Sequence, residues 1–276
     1  MIILFSSKNP ASLNIAENLM KKGFTQSNEN LWEYGSHKMI DTKVESILDV
    51  PTNFETDCIL VLSTHKSKEY KKMLTCHAPG NWGTADFGGE NKTLNIVPAS
   101  KLKTIVLTMK KLATEKLPDF DVQMEVDHHG PTCSVPILYV EIGPTEKEFT
   151  NKIAGEIAAS AIIESIKSNK KYSAAIGFGG GHYPERFNNI IFDEKNVSIG
   201  HIMPKYQIKN LDGIGNSVKR EQSTGSLLDE GLFRQAVEKS VERVEKVFVL
   251  RKEFNLEQKA KIKKLCEKFE IEYIEI

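Results

Sequence analysis

Cysteine is scarce in this 276-residue chain, and Cys58, Cys76, Cys133 and Cys266 form no CxxC pair. That scatter argues against a disulfide framework and a thiolate zinc finger, and it suits the reducing cytosol. Long apolar runs are missing too: none approaches the ~20 residues that span a bilayer. Met1–Ser6 has no basic n-region and no long apolar h-region, so no signal peptide is expected. Charge of one sign is absent, because Lys+Arg and Asp+Glu both total 37. This disfavours a general nucleic-acid coat protein, which needs an overall basic excess, but leaves room for a local basic face. There is no internal repeat, no low-complexity tract and no Gly-, Pro- or Ser-rich linker. Residues 1–276 are therefore expected to form a single α/β domain, with a possible β-rich insertion near residues 65–100.

What is present is ordinary globular composition: 40% hydrophobic and 27% charged residues argue against global disorder. Ile2–Phe5 reads as a strand, and Asn9-Pro10 opens an amphipathic helix that runs to Lys22 and stops at Gly23. Cys58–Leu62 is a continuous apolar run, as in a strand buried on both faces. Ile105–Leu112 fits strand or helix. Val122–Val126 alternates, and Val135–Ile142 reads as a strand. Thr145 and Glu148 have capping-box spacing before an apolar stripe that reaches about Ser168. Ala174–Phe178 is a short strand entering Gly179-Gly180-Gly181. The C-terminal third reads as helix (226–244), strand (247–250), helix (256–269) and strand (271–276). Strands alternating with helices predict an α/β fold, a mixed central sheet flanked by helices.

Six of the seven histidines lie between His65 and His201. Ser63-Thr64-His65-Lys66-Ser67 follows the Cys58–Leu62 strand, and ligands of open α/β sheets bind beyond the carboxyl ends of strands. Cys76-His77-Ala78-Pro79-Gly80-Asn81-Trp82-Gly83 is a loop of fixed path in which Trp82 offers a face for a nucleobase or ribose. Glu125-Val126-Asp127-His128-His129-Gly130-Pro131-Thr132 joins carboxylates to imidazoles. Period-two alternation puts Glu125, Asp127 and His129 on one side and His128 on the other. Such groups supply metal ligands, or a base and its orienter, and they line a polar cleft because an apolar core would leave them unsatisfied. In Gly177–Phe187, three consecutive glycines let backbone amides form an anion nest or oxyanion hole beside His182 and Tyr183, and Arg186 suits a phosphate. Gly200-His201-Ile202-Met203-Pro204-Lys205-Tyr206 adds His201 and a basic-aromatic pair. Between residues 60 and 120, ten lysines face five acidic residues, which suggests a basic face near the His65 and His77 loops.

Together, STHKS (63–67), CHAPGNWG (76–83), EVDHHGPT (125–132), GFGGGHYPERF (177–187) and GHIMPKY (200–206) resemble the archaeal and plant type of D-aminoacyl-tRNA deacylase. Their order fits, and the resemblance covers most of the chain. The last seventy residues carry no matching motif. The resemblance implies hydrolysis of the ester between a D-amino acid and the 3′ end of tRNA, with broad side-chain tolerance and selection by chirality. It implies a fold like peptidyl-tRNA hydrolases and nucleoside phosphorylases, and a requirement for zinc. His128, His129, His182 and Asp127 are then the expected catalytic residues. Lys66, Trp82, Thr132, Gly179, Gly180, Gly181, Tyr183, Arg186 and Lys205 are expected at the substrate. His65, His77, His128, His129 and His201 are the candidate zinc ligands, although a mechanism without protein-bound metal stays open. A peptidyl-tRNA hydrolase, a nucleoside phosphorylase and a non-catalytic RNA-binding protein are the alternatives. No membrane and no protein partner is indicated.

Overall fold

The computed structural model describes residues 1–67, 70–207 and 228–276. Ile2–Phe5 forms β1, and Pro10–Lys21 forms α1, capped where Asn9 accepts a hydrogen bond from Ser12 N. Then comes a meander the sequence did not announce: β2 (Thr25–Asn28), β3 (Leu31–Tyr34) and β4 (His37–Asp41). Its first strand, TQSN, is exposed throughout, so no hydrophobic alternation betrays it. The apolar run becomes β5 (Ile59–Thr64), buried along its whole length. Next come β6 (Met73–His77), the two-residue strands β7 (Gly80–Asn81) and β8 (Thr93–Leu94), and α2 (Ala99–Lys116). The ambiguous segment 105–112 is therefore helix. β9 (Asp121–Met124) and β10 (Ile137–Gly143) complete the first sheet, ordered β2-β3-β4-β1-β5-β10-β6-β9. β1, β5 and β10 are parallel, whereas β6 runs antiparallel to β10. Within residues 65–100, β6 is an integral strand between β10 and β9, whereas the β7–β8 pair stands outside the sheet.

Thr145 does not build the expected capping box. Its hydroxyl instead donates to the Glu148 carboxylate, and the helix there breaks after one turn. Asn151 starts a fresh helix, α4 (Lys152–Lys167), after the short α3 (Glu146–Phe149). A second, wholly parallel sheet follows, built from β11 (Ser173–Phe178), β12 (Val197–Met203), β13 (Val244–Val249) and β14 (Glu272–Glu275) in the order β12-β11-β13-β14. Its connecting helices are α5 (Glu185–Asp193), α6 (Glu230–Glu238) and α7 (Leu256–Lys268). One body nevertheless results. Ala175, Ile199, Ile202 and Phe248 of the second sheet share a buried cluster with Leu60, Val140 and Leu102. Among the described residues no helix is long and apolar enough to cross a membrane.

Among the described residues, part of the basic stretch is already engaged; Lys68 lies outside them. Lys71 and Lys72 pair with Asp121 and Asp119, and Lys116 pairs with Glu156. Lys103 is only 1% exposed; its ammonium donates to the carbonyls of Glu194 and Val197 and lies 4.9 Å from the Tyr172 ring centroid. Burial pulls its pKa down to about 8. The unfolded chain therefore binds more protons than the folded one between that value and the ordinary lysine value near 10.5, so stability from this group rises with pH across the window. Comparing denaturant unfolding at pH 7.5 and 10.5, the stability of wild type relative to Lys103→Met should grow by about 2–3 kcal/mol. A pH-independent difference would place the lysine pKa at its ordinary value.

Candidate active site

Neighbouring strands put the site together through their pleat. Glu141 on β10 lies opposite Ser63 of β5 and Thr75 of β6, and Tyr139 lies opposite His77. Two-residue alternation puts Tyr139, Glu141, His77 and His65 on one face. His65 leaves β5 immediately after Thr64, and its amide donates to Ile142 O at 2.9 Å. Only glycine fits beneath it: a Cβ on Gly143 would stand 2.2 Å from the His65 carbonyl oxygen.

The chain stops being extended after Met124. Glu125 and His128 consequently turn the same way, Glu125 Oε2 lying 3.7 Å from His128 Nε2, while Asp127 turns to the opposite side. This corrects the expected alternation. The loop after β11 then brings His182 and Tyr183 over the strand ends. It is tied by a long contact from Val126 N to His182 O and by the Asn188 side chain, which bonds both N and O of Met124.

Five imidazoles and two carboxylates converge. Glu125, with no exposed side-chain surface, lies 3.0 Å from His65 Nδ1 and 2.8 Å from His182 Nε2. Glu141 lies 3.5 Å from His65 Nδ1 and 3.9 Å from His77 Nε2. Both Glu125 oxygens and His77 Nε2 are buried without a well-aligned hydrogen bond. His77, His128 and His129 each turn Nδ1 to a main-chain carbonyl, that of Ala78, Val126 and Gly130 respectively. Donation from Nδ1 leaves Nε2 as a lone pair, the usual preparation of a metal-binding imidazole. Three overlapping sets have ligand atoms within 4.8 Å of one another: His77/His128/His129, His65/Glu125/His182 and His77/Glu125/Glu141. Imidazole and carboxylate donors without thiolate fit zinc.

Electrostatics separate these groups. Burial works against an ionised Glu141, but the contact with His65 outweighs it and holds the carboxyl down to about 2. Glu125 is likewise held well below the usual range by His65 and His182 against its burial. Burial opposes a charged His65, yet Glu125 and Glu141 prevail and raise it to about 12. Burial and then the neighbouring His77 lower His129 to about 4, and His128 also lies well below the ordinary histidine value.

The sequence model of the D-aminoacyl-tRNA deacylase family matches residues 52–274. The chain belongs to that family. It is 39% identical over 231 residues to a D-aminoacyl-tRNA deacylase of Methanosarcina mazei, covering 83% of this chain and 69% of that one. A deacylase of Pyrococcus furiosus is 31% identical over 99% of this chain and 98% of its own length. A crystal structure described only as a conserved protein of unknown function superposes with a TM-score of 0.84 at 28% identity, over 99% of this chain and 94% of that one.

Within this D-aminoacyl-tRNA deacylase family member, His65, His77, His128, His129 and His182 are brought together as the sequence suggested. Four other assignments are corrected. His201 is fully buried elsewhere: Nδ1 lies 2.8 Å from Asp127 Oδ1 and Nε2 3.2 Å from Lys239 O, so neither nitrogen is free for a metal. Asp127 is not brought into the cluster: its carboxylate accepts from Ile202 N at 2.7 Å and Trp82 Nε1 at 3.4 Å besides meeting His201. Trp82 is 0% exposed, so no base can stack on it; its indole N–H serves Ile202 O and Asp127. The glycine nest is already engaged, with Gly179 N donating to Met203 O and Gly180 N to the Glu253 carboxylate. Gly181 remains at the surface. Thr132 accepts from Glu90 N, Lys205 is half-buried, and Lys66 and Arg186 are exposed. Glu141 was missed, although a single acidic residue in the apolar run 137–142 was the available signal. Glu125 belongs to the 125–132 run of expected ligands, bases and orienters, but nothing in that run sets it apart from Asp127.

Proposed function

We propose that this chain hydrolyses the ester of D-aminoacyl-tRNA, releasing D-amino acid and tRNA, and that it selects by chirality with broad side-chain tolerance. The observation that carries the reading is the buried cluster of five histidines and two glutamates, taken with family membership. We read the fold as kin to peptidyl-tRNA hydrolases and nucleoside phosphorylases, supported by a site at the carboxyl ends of the parallel strands β5 and β10. The four free, buried cysteines support a cytoplasmic setting.

His77, His128 and His129, with Glu125 and Glu141 beside them, would hold zinc, which when bound supplies a water acidified towards neutrality. The remaining chemistry belongs to the chain. His182, 34% exposed at the mouth and oriented by Glu125, is placed to take a proton from water and return it to the leaving 3′ oxygen. The Tyr183 hydroxyl lies 2.7 Å from His65 Nε2. A charged His65 donates to the phenol oxygen, which turns the phenol's own proton outward to the developing oxyanion.

Purified protein should hydrolyse D-Tyr-tRNA and spare L-Tyr-tRNA, followed as release of labelled tyrosine. Equal rates would overturn chiral selection, and no release from either would overturn the activity. In the same assay, chelator-stripped protein should be inactive until zinc is restored; full activity without metal would remove zinc from the reading.

A further inference from the structure

A groove of about 490 Å³ opens beside the cluster, between β9 and α5, and shares His182 and Tyr183 with it. Its volume falls in the range of small-ligand sites. Its charges balance: Lys71 is paired with Asp121, and Lys110 is matched by Glu185. It therefore offers no net pull on a phosphate, and its amide and charged walls do not suit an aliphatic side chain. Two features point to a flat, hydrogen-bonding ligand. Gln123 Oε1 is buried in the wall without a hydrogen-bond partner, so a ligand donor is wanted there. Phe192, beneath the Lys110 ammonium at 5.5 Å, supplies an aromatic surface.

We propose that this groove seats the adenine of the substrate's 3′-terminal nucleoside, with Gln123 reading the base edge. This rests on the reading of the chain as acting on aminoacyl-tRNA. The scissile ester is carried by that nucleoside, so its base must lie one ribose away from the reacting carbonyl, and this groove adjoins His182. A glutamine amide pairs with adenine in two-point fashion, its oxygen accepting from the N6 amine while its nitrogen donates to N7. The oxygen left unsatisfied in the groove is the acceptor half of that pair. Phe192 flanks the base plane, a contact tolerant of which base is present, so discrimination falls to Gln123.

The test uses the full chain with 5′-AMP and 5′-CMP as probes, titrated by calorimetry. AMP should bind about tenfold more tightly than CMP, the size expected of one two-point contact. Gln123→Ala should bring the two within about twofold and raise KM for D-Tyr-tRNA about five- to tenfold, with kcat within about twofold. Gln123→Glu, whose carboxylate accepts from the cytosine amine, should turn the preference towards CMP, which a merely structural role would not do. Equal AMP and CMP binding by wild type would overturn the proposal. So would Gln123 variants that keep the wild-type preference, or that instead alter selection between D-Tyr-tRNA and D-Ala-tRNA. Nucleotide binding needs no turnover, so AMP preference without deacylation would remove the proposed activity and leave the nucleoside site standing. Deacylation without AMP preference would do the reverse.

Discussion

Glu125→Gln should lower kcat for D-Tyr-tRNA roughly 10²–10⁴-fold, the range associated with loss of positioned acid–base catalysis. The substitution keeps shape and removes charge. Among the described residues Glu125 is the one acid within 4 Å of three imidazoles: His65 at 3.0 Å, His182 at 2.8 Å and His128 at 3.7 Å. A neutral amide can still meet one of them, but it no longer holds His65 charged or orients His182 by attraction. The Tyr183 contact at His65 Nε2 weakens in turn. Melting temperature should change little, because a buried anion is replaced by a neutral group of equal volume and part of its desolvation cost is relieved. Single-turnover hydrolysis together with a thermal melt checks this. Activity within tenfold of wild type would put Glu125 outside the chemistry.

Asp127→Ala should do the opposite, acting on stability first. Its carboxylate faces Ile202 N, Trp82 Nε1 and His201 Nδ1, and its residue is 2% exposed. Truncation leaves buried donors unmet, at a cost of about 3 kcal/mol or more. For a chain of this size that corresponds to a fall in Tm of roughly 5 °C. Asp127→Asn keeps an acceptor and should fall less. Deacylation should decline with folded fraction and with the path of residues 125–129, not through a lost base. A Tm within about 2 °C of wild type for Asp127→Ala would show that the Trp82–His201 region satisfies those donors by another route.

The sequence made the histidines legible because each sits beside a strand end or a glycine turn, where polar residues need a reason. It made β5 and β11 legible through their apolar runs, and α1 through Asn9-Pro10 and Gly23. Which histidines meet was not legible. His201 and His65 both adjoin apolar strands, but His201 closes on Asp127 in the interior while His65 reaches the cleft. That outcome depends on which sheet each strand joins, and on the turn after Met124 that sends Glu125 and Asp127 apart. The meander over residues 25–41 stayed hidden because its outer strand buries nothing. Trp82 misled because an aromatic in a Pro/Gly loop reads as a platform until tertiary packing covers it.

His77, His128 and His129 all take their hydrogen-bond partner at Nδ1 from the main chain, at Ala78, Val126 and Gly130. Carbonyls are common to every residue type, so substitution at those three positions cannot delete the group that fixes the tautomer. Only a change in backbone path can. The proton placement of three imidazoles is thus written into the route of the chain, and side chains around it are free to drift so long as the route holds.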